Sequence, residues 1–102
     1  MEIEMKRFGV NGLLVKGNGR LDLDNAVEYG TKIKETVEDY EDIKELVLDF
    51  SGISFISSFG LKVILELHNQ MSNNGSMKLT NVTEPILKSF HMVGFDKFLV
   101  IE

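Results

Sequence analysis

Two adjacent serines, Ser57 and Ser58, are the residues of this 102-residue chain whose types and position point most directly to chemistry. They follow the short apolar run of residues 46–50 and a loop, and they precede a long stretch with helical spacing. A serine at a helix start caps the helix, because its hydroxyl accepts a hydrogen bond from an unpaired backbone N–H. An exposed hydroxyl there is also suited to carry a phosphate, since a helix N-terminus favours an anion. Capping and phosphorylation are therefore both open readings of these two serines.

A polar stripe on the same helix starts at Ser58. Counting about 100° per residue from Ser58 places four polar side chains in a narrow arc with it; these are Lys62, Glu66, Asn69 and Asn73. The stripe predicts that the Ser58 hydroxyl faces solvent at the beginning of the helix. A phosphate there adds about −1.5 to −2 charge, and Lys62 lies one turn on, where it can pair with that charge.

Other arrangements of reactive residues are poor candidates for catalysis or metal binding. The chain has no cysteine, and its two histidines, His68 and His91, have no spacing that brings them to Ser58 or to Asp22 or Asp49 as a catalytic triad. The segment Gly17-Asn18-Gly19 precedes a helix but lacks the Lys-Ser/Thr ending of a phosphate-binding loop. We therefore expect a binding protein with no enzymatic activity, no metal and no cofactor.

The surrounding elements form an alternating α/β pattern. Apolar runs and alternation predict strands at residues 3–8, 13–17, 46–50, 77–80 and 98–101, and helical spacing predicts helices that begin at Asn25, Ser58 and Thr83. Asn11-Gly12 predicts the turn of an opening hairpin, and residues 17–22 and 51–54 are expected to be loops. The order ββαβαβαβ indicates one domain over residues 1–102, with a mixed, mainly parallel sheet of about five strands and helices packed on it.

Charge narrows the class of partner. The net charge is −5 and the 11 basic residues are scattered, which disfavours nucleic acid and anionic membrane surfaces. No apolar run approaches the roughly 20 residues that cross a bilayer, and the first residues do not resemble a signal peptide. We therefore expect a cytoplasmic protein that binds another protein, with a monomer as the default.

Several segments together resemble the STAS domain family (sulphate transporter and anti-sigma factor antagonist), and within it the stand-alone bacterial anti-sigma factor antagonists. The family motif is an apolar strand ending in Asp, an apolar pair, and then Asp-Ser-Ser/Thr-Gly-Leu. This chain has Leu48-Asp49-Phe50, then Phe55-Ile56, then Ser57-Ser58-Phe59-Gly60-Leu61. The segments Gly19-Arg20-Leu21-Asp22 and Val93-Gly94-Phe95-Asp96-Lys97 are also similar to the family. The resemblance covers nearly the whole chain and implies the STAS fold.

The resemblance also implies a partner switch. In this family the unmodified protein binds an anti-sigma factor that is also a serine protein kinase, and this binding frees the sigma factor. Phosphorylation of the serine after the motif aspartate, here Ser58, switches binding off, and a metal-dependent serine phosphatase restores it. Two residues depart from the motif, Ser57 in place of the aspartate and Phe59 in place of the second hydroxyl residue, and Ser57 is an alternative acceptor.

The resemblance and the helix-start argument together predict a contact surface for the partner. It comprises Gly19, Arg20, Leu21, Asp22, Phe55, Ile56, Ser57, Ser58, Gly60, Leu61 and Lys62. Two alternatives stay open for the same fold. One is a STAS interaction subunit of a lipid-transport or chemosensory complex in which Ser58 is not phosphorylated, and the other is a weak nucleotide-binding module.

Overall fold

Six strands and three helices make up the fold, and the computed structural model describes all residues from 1 to 102. In chain order the elements are β1 (Glu2–Phe8), β2 (Gly12–Leu21), α1 (Leu23–Asp39), β3 (Glu45–Asp49), β4 (Ile53–Ile56), α2 (Ser58–Ser72), β5 (Ser76–Thr80), α3 (Glu84–Met92), a 3-10 helix (Phe95–Lys97) and β6 (Val100–Ile101).

The strands form one mixed sheet. Its order is β1-β2-β3-β5-β6, and β4 pairs with the second half of β2, beyond the stretch where β2 pairs with β3. The β1–β2 hairpin is antiparallel and every other pair is parallel. The predicted α/β class with a mainly parallel sheet is therefore confirmed, and the carboxyl ends of β2, β3 and β4 lie along the same edge, where parallel sheets commonly hold their sites.

The core lies between one face of the sheet and helices α1 and α2. Leu13 and Val15 of β2 are buried, while the alternate residues Leu14 and Lys16 are only half-buried, as expected for a strand with one covered face. Nineteen buried residues form a single apolar cluster that includes side chains from every helix. Helix α3 closes the end of this cluster, with the Phe90 ring 6.1 Å from that of Phe50.

The predicted loops at residues 17–22 and 51–54 are the main errors of the sequence-based prediction. Strand β2 continues to Leu21, and β4 begins at Ile53. The end of β2 pairs with β4 from Gly19 to Leu21, so hydrogen bonds between the two strands replace the contacts with solvent that a loop would make. The sheet accordingly has six strands where about five were expected.

Three smaller boundaries also differ. Helix α1 begins at Leu23 and not at Asn25, because Asp22 is the N-cap and its carboxylate accepts from the Asn25 N–H at 3.4 Å. The hairpin turn occupies residues 9–11, and Gly9, not Asn11-Gly12, has the positive φ of 57°. The last strand is confined to Val100–Ile101, because residues 95–97 form a 3-10 helix.

Candidate functional site

The ends of β2 and β4 bring two distant segments of the predicted surface together. Arg20 pairs in register with Phe55, and Leu21 pairs with Ile56. The register shifts just before Arg20, at Gly19, whose φ of +129° is a conformation that L side chains rarely adopt. The Gly19 N–H donates to the Gly52 carbonyl at 2.9 Å. This irregularity therefore depends on glycine, and it sets the position of Arg20 beside Phe55.

Ser57 is fully engaged in holding the start of α2. It is the N-cap, and its Oγ accepts from the Gly60 N–H at 3.3 Å. The same hydroxyl donates to the Leu21 carbonyl at 2.8 Å, and the Ser57 backbone N–H donates to that carbonyl at 3.0 Å. Ser57 thus ties the first turn of α2 to the end of β2, and its hydroxyl serves a structural purpose.

Gly60 allows this close approach. A Cβ at Gly60 would lie 2.6 Å from the Ile56 side chain and 2.9 Å from the Leu21 carbonyl oxygen. Both distances are shorter than carbon contacts in folded proteins allow, so any larger residue would displace α2 from the sheet. The glycine of the sequence motif is therefore explained by packing.

Ser58 differs from its neighbour in having a free side chain. It is the first residue of α2, it is exposed, and its Oγ has no hydrogen-bond partner within the chain. The backbone N–H groups of Ser58 and Phe59 also lack partners in the chain, as is usual in the first turn of a helix. A hydroxyl and two unpaired donors at the positive end of a helix dipole form a place where a phosphate is electrostatically favoured.

The polar stripe predicted from Ser58 is present. Lys62, Asn69 and Asn73 are exposed and Glu66 is half-exposed. Lys62 makes no ion pair, whereas Glu66 binds Lys34 of α1, and this contact lowers the pKa of the Glu66 carboxyl. Lys62 is thus a free cation one turn from the Ser58 hydroxyl.

Exposed aromatic side chains lie on both sides of Ser58 along the chain. Phe55 is 39 % exposed, with the Arg20 guanidinium 4.2 Å from the centre of its ring, and Phe59 is 49 % exposed. Large exposed aromatic residues beside a free hydroxyl are typical of a protein-binding surface, because they have apolar area to bury against a partner.

A groove between α1 and α2 extends this surface. It has a volume of about 360 Å³, and its lining includes Leu23, Val27, Phe59, Lys62 and Val63. Leu23 and Val27 are each at least half exposed. Sequence reasoning missed this groove, although Leu23 and Val27 are apolar residues four apart, a spacing that places both on the same face of a helix.

A comparison with protein-family models matches residues 3–102 to the STAS domain. The chain belongs to the STAS domain family. The match spans nearly the whole chain and includes every residue of the surface described above.

Solved structures share the fold of this STAS domain at low sequence identity. A candidate anti-sigma factor antagonist from Thermotoga maritima has a TM-score of 0.87 and 19 % identity, covering 97 % of this chain and 84 % of its own. An anti-sigma factor antagonist from Mycobacterium paratuberculosis has a TM-score of 0.82 and 21 % identity, covering 98 % and 85 %. The Bacillus cell fate determinant SpoIIAA, in its phosphorylated form, has a TM-score of 0.76 and 17 % identity, covering 99 % and 91 %.

The predicted surface of the STAS domain divides into residues that are exposed and residues that support them. Ser58, Arg20, Phe55 and Lys62 are exposed. Leu21, Ile56 and Gly60 are buried, so the expectation that they contact a partner is corrected: they position their exposed neighbours. The remaining members, Gly19, Asp22, Ser57 and Leu61, are half-buried.

Residues considered for other chemistry lie elsewhere in this STAS domain. The His68 ring packs against Phe98 at 4.9 Å, and His91 Nδ1 lies 2.6 Å from Asp96 Oδ2, so neither histidine is directed at Ser58. No group of three or more His, Cys, Asp or Glu residues is close enough to hold a metal ion. None of the helices has the length and apolar character needed to cross a membrane.

Proposed function

We propose that this STAS domain is an anti-sigma factor antagonist that works by partner switching and catalyses no reaction. In its unphosphorylated form it binds an anti-sigma factor that is also a serine protein kinase, and the sigma factor is released. The kinase transfers the γ-phosphoryl group of ATP to the Ser58 oxygen, which loses its proton, and ADP leaves. A metal-dependent serine phosphatase hydrolyses the ester and restores binding, and the cycle runs in the cytoplasm, where ATP is available.

The single observation that carries the proposal is the contrast between the two serines. Ser57 Oγ donates one hydrogen bond and accepts another, and both hold α2 in place. Ser58 Oγ has no hydrogen-bond partner, and the residue is exposed. A kinase that modified Ser57 would have to break the cap, but a kinase that modified Ser58 would break nothing. This contrast favours Ser58 as the acceptor over the alternative, Ser57.

The phosphate acts on the interface and not on the fold. It would lie at a helix N-terminus beside unpaired N–H groups and within reach of Lys62, so its own helix tolerates it. A partner packed over Phe55 and Phe59 would have to desolvate about two negative charges on binding, which is costly unless they are paired. Phosphorylation therefore lowers affinity while the domain stays folded.

The departure of Ser57 from the family motif is compatible with this account. An aspartate at the N-cap accepts from the same N–H that Ser57 Oγ accepts from, so the serine keeps the geometry of the helix start. It lacks the negative charge, and it gains the bond to the Leu21 carbonyl, which a carboxylate cannot donate. A kinase for this chain thus meets an acceptor with no adjacent carboxylate in the motif.

The decisive experiment is phosphorylation with the cognate kinase. The protein is incubated with ATP and the kinase encoded by a neighbouring gene, and the modified residue is mapped by mass spectrometry. We expect modification at Ser58, none in Ser58→Ala, and retained modification in Ser57→Ala. Affinity for the kinase is then measured by calorimetry: Ser58→Asp should weaken it by more than about 1.4 kcal/mol, a tenfold change, while Ser58→Ala should bind like the wild type.

The alternative is a STAS interaction subunit of a lipid-transport or chemosensory complex, and Phe59 in place of the second hydroxyl residue favours it. It uses the same exposed aromatic surface, with Ser58 never modified. Affinity purification from the source organism separates the two: recovery of a kinase-like ATPase supports the switch, whereas recovery of transporter or chemosensory subunits with no effect of Ser58→Asp contradicts it.

Weak nucleotide binding is tested by equilibrium dialysis with labelled GTP and ATP. The glycines that prompted this idea lie within β2 and not in a loop before a helix.

A further inference from the structure

Strand β1 is an open edge of the sheet. It spans seven residues, Glu2–Phe8, and it pairs only with β2, so its other side has no partner in the chain. Its pairing with β2 is continuous from Glu2 to Phe8, and it contains no proline. Edge strands of this length are usually blocked, because their unpaired N–H and C=O groups can template another strand.

The charges on this edge are arranged in a self-complementary order. Glu4 and Lys6 are exposed and make no ion pair within the chain. Arg7 is occupied, since its guanidinium binds Asp42 at 2.8 Å and the Gly12 carbonyl at 3.0 Å. Met5 lies between the two free charges and packs against the apolar core.

We propose that β1 pairs antiparallel with β1 of a second copy of this chain, about a two-fold axis at Met5. In that register Met5 faces Met5 of the partner, Glu4 of each copy faces Lys6 of the other, and all four charges are paired. Directly opposite residues in an antiparallel pair project from the same face, so the two sheets join into one and their helices lie on the same side.

Neighbouring registers are less favourable, which makes this one specific. Sliding the second strand by two residues in one direction pairs Glu2 with Lys6 but places Glu4 opposite Glu4. Sliding it in the other direction places Lys6 opposite Lys6 and leaves Glu4 facing Phe8. Like charges directly opposite each other are destabilising. The same charges that protect the edge from unrelated strands therefore select one arrangement with a second copy.

The interface is small, so the dimer is weak and its formation depends on concentration. An edge of seven residues buries less area than the roughly 1,200 to 2,000 Å² of stable complexes. Ser58 lies on the far side of β2 from β1, so a dimer joined at β1 displays two copies of the Ser58 surface. The inference stands apart from the proposed switch, and its test needs neither kinase nor phosphate.

Sedimentation equilibrium of charge variants tests the register. Glu4→Lys and Lys6→Glu each replace two opposite-charge pairs with two like-charge pairs, so each should dimerise at least about tenfold more weakly than the wild type. The double variant exchanges both charges and should dimerise like the wild type. An equimolar mixture of the two single variants should form a heterodimer, because every facing pair is again Lys against Glu.

The mixture also controls for folding and for overall charge. The single variants have net charges of −3 and −7, from −5 + 2 and −5 − 2, so bulk attraction does not drive their association. Glu2→Lys is the matched control: it makes the same charge change on the same strand but faces Phe8 of the partner, and it should leave dimerisation within about twofold. A wild type that stays monomeric up to about 1 mM, or a mixture that dimerises no better than either single variant, would overturn the proposal.

Discussion

At the scale of single residues, two neighbouring hydroxyls have opposite roles. Ser57 is half-buried and engaged on both sides of its oxygen, while Ser58 is exposed and unengaged. The hydrogen bonds of Ser57 reach β2, 36 residues back in the sequence. Spacing predicts that the Ser58 hydroxyl faces solvent, but it leaves capping and phosphorylation open for both serines. The bonds of Ser57 Oγ to the Gly60 N–H and the Leu21 carbonyl separate the two roles.

Removing each hydroxyl in turn should show this asymmetry in stability. Ser57→Ala leaves the Gly60 N–H and the Leu21 carbonyl without their side-chain partner, so we expect the free energy of unfolding to fall by about 1–2 kcal/mol. Ser58→Ala removes no bond and should change it by less than about 0.5 kcal/mol. Urea unfolding followed by circular dichroism measures both, and equal losses in the two variants would contradict the assignment of the cap.

Gly60 gives a second prediction at this scale. In Gly60→Ala the new methyl group meets the Leu21 carbonyl oxygen and Ile56, and the backbone oxygen cannot rotate away. We expect a loss of about 1–3 kcal/mol in the free energy of unfolding. Gly94→Ala serves as a comparison, because no atom lies within 4 Å of its Cβ position and its cost comes only from a φ of +79°. A Gly60→Ala variant as stable as the wild type would mean that α2 lies farther from the sheet.

At the scale of elements, the long periodic segments were predictable and the short paired ones were not. The helix that begins at Ser58 was predicted with the correct start, because its polar stripe is a local signal that needs no tertiary contact. Strand β4 was missed, since four residues between Gly52 and Ser57 carry little pattern of their own. Its strand conformation depends on pairing with β2. The glycines at the end of β2 are typical of a loop, so the sequence of β2 gave no sign of that pairing either.

The same dependence limited the prediction of the site. Ser58 and Lys62 are on one helix, so periodicity placed them together. The contact of Arg20 with Phe55, and the groove lined by Leu23 and Phe59, join segments that only the tertiary fold brings together. Family resemblance indicated some of these positions, but it did not indicate which of them are buried.

Gly19 provides a prediction at the element scale. In Gly19→Ala there is room for the methyl group, whose nearest neighbour is 3.8 Å away, so the cost is the φ of +129° that alanine disfavours. We expect the free energy of unfolding to fall by about 1–3 kcal/mol. Amide hydrogen exchange should accelerate more in β4 than in β3, since the register shift that lets β4 pair with β2 depends on this residue. Gly9→Ala, at a φ of +57° in the hairpin turn, is the control and should leave exchange in β4 unchanged. If amide hydrogen exchange in Gly19→Ala accelerated equally in all strands of the sheet, Gly19 would have no local role in the pairing of β4.

At the scale of the whole molecule, carboxylates paired in the fold tie its stability to pH. The pKa of the Asp42 carboxyl is lowered by Arg7, that of Glu66 by Lys34 and that of Asp96 by His91. At Asp49, partial burial opposes ionisation, but hydrogen bonds from the Ser51 N–H and the Asn81 amide more than offset it and lower the pKa. Each of these groups holds its proton less tightly when the chain is folded than when it is unfolded.

The direction of the pH effect follows from this difference. Where the pH lies between the lowered pKa values and the ordinary carboxyl range near 4, the unfolded chain binds more protons, so acid favours unfolding. The stabilisation is complete above that range and is lost as the pH falls through the folded-state pKa values. We therefore expect a urea midpoint that is flat from about pH 6 to 8 and falls steadily below about pH 4.5.

Asp49→Asn isolates one of these groups. Asparagine keeps an oxygen that can accept from Ser51 and Asn81 but carries no charge, so the variant should be less stable at pH 7, and its stability should fall less on acidification. The wild-type and variant curves are therefore expected to converge towards low pH, where the Asp49 carboxyl is protonated in both folded and unfolded chains. A constant offset between the two curves from pH 7 to about pH 2 would mean that the charge of Asp49 contributes nothing and that the loss comes from packing alone.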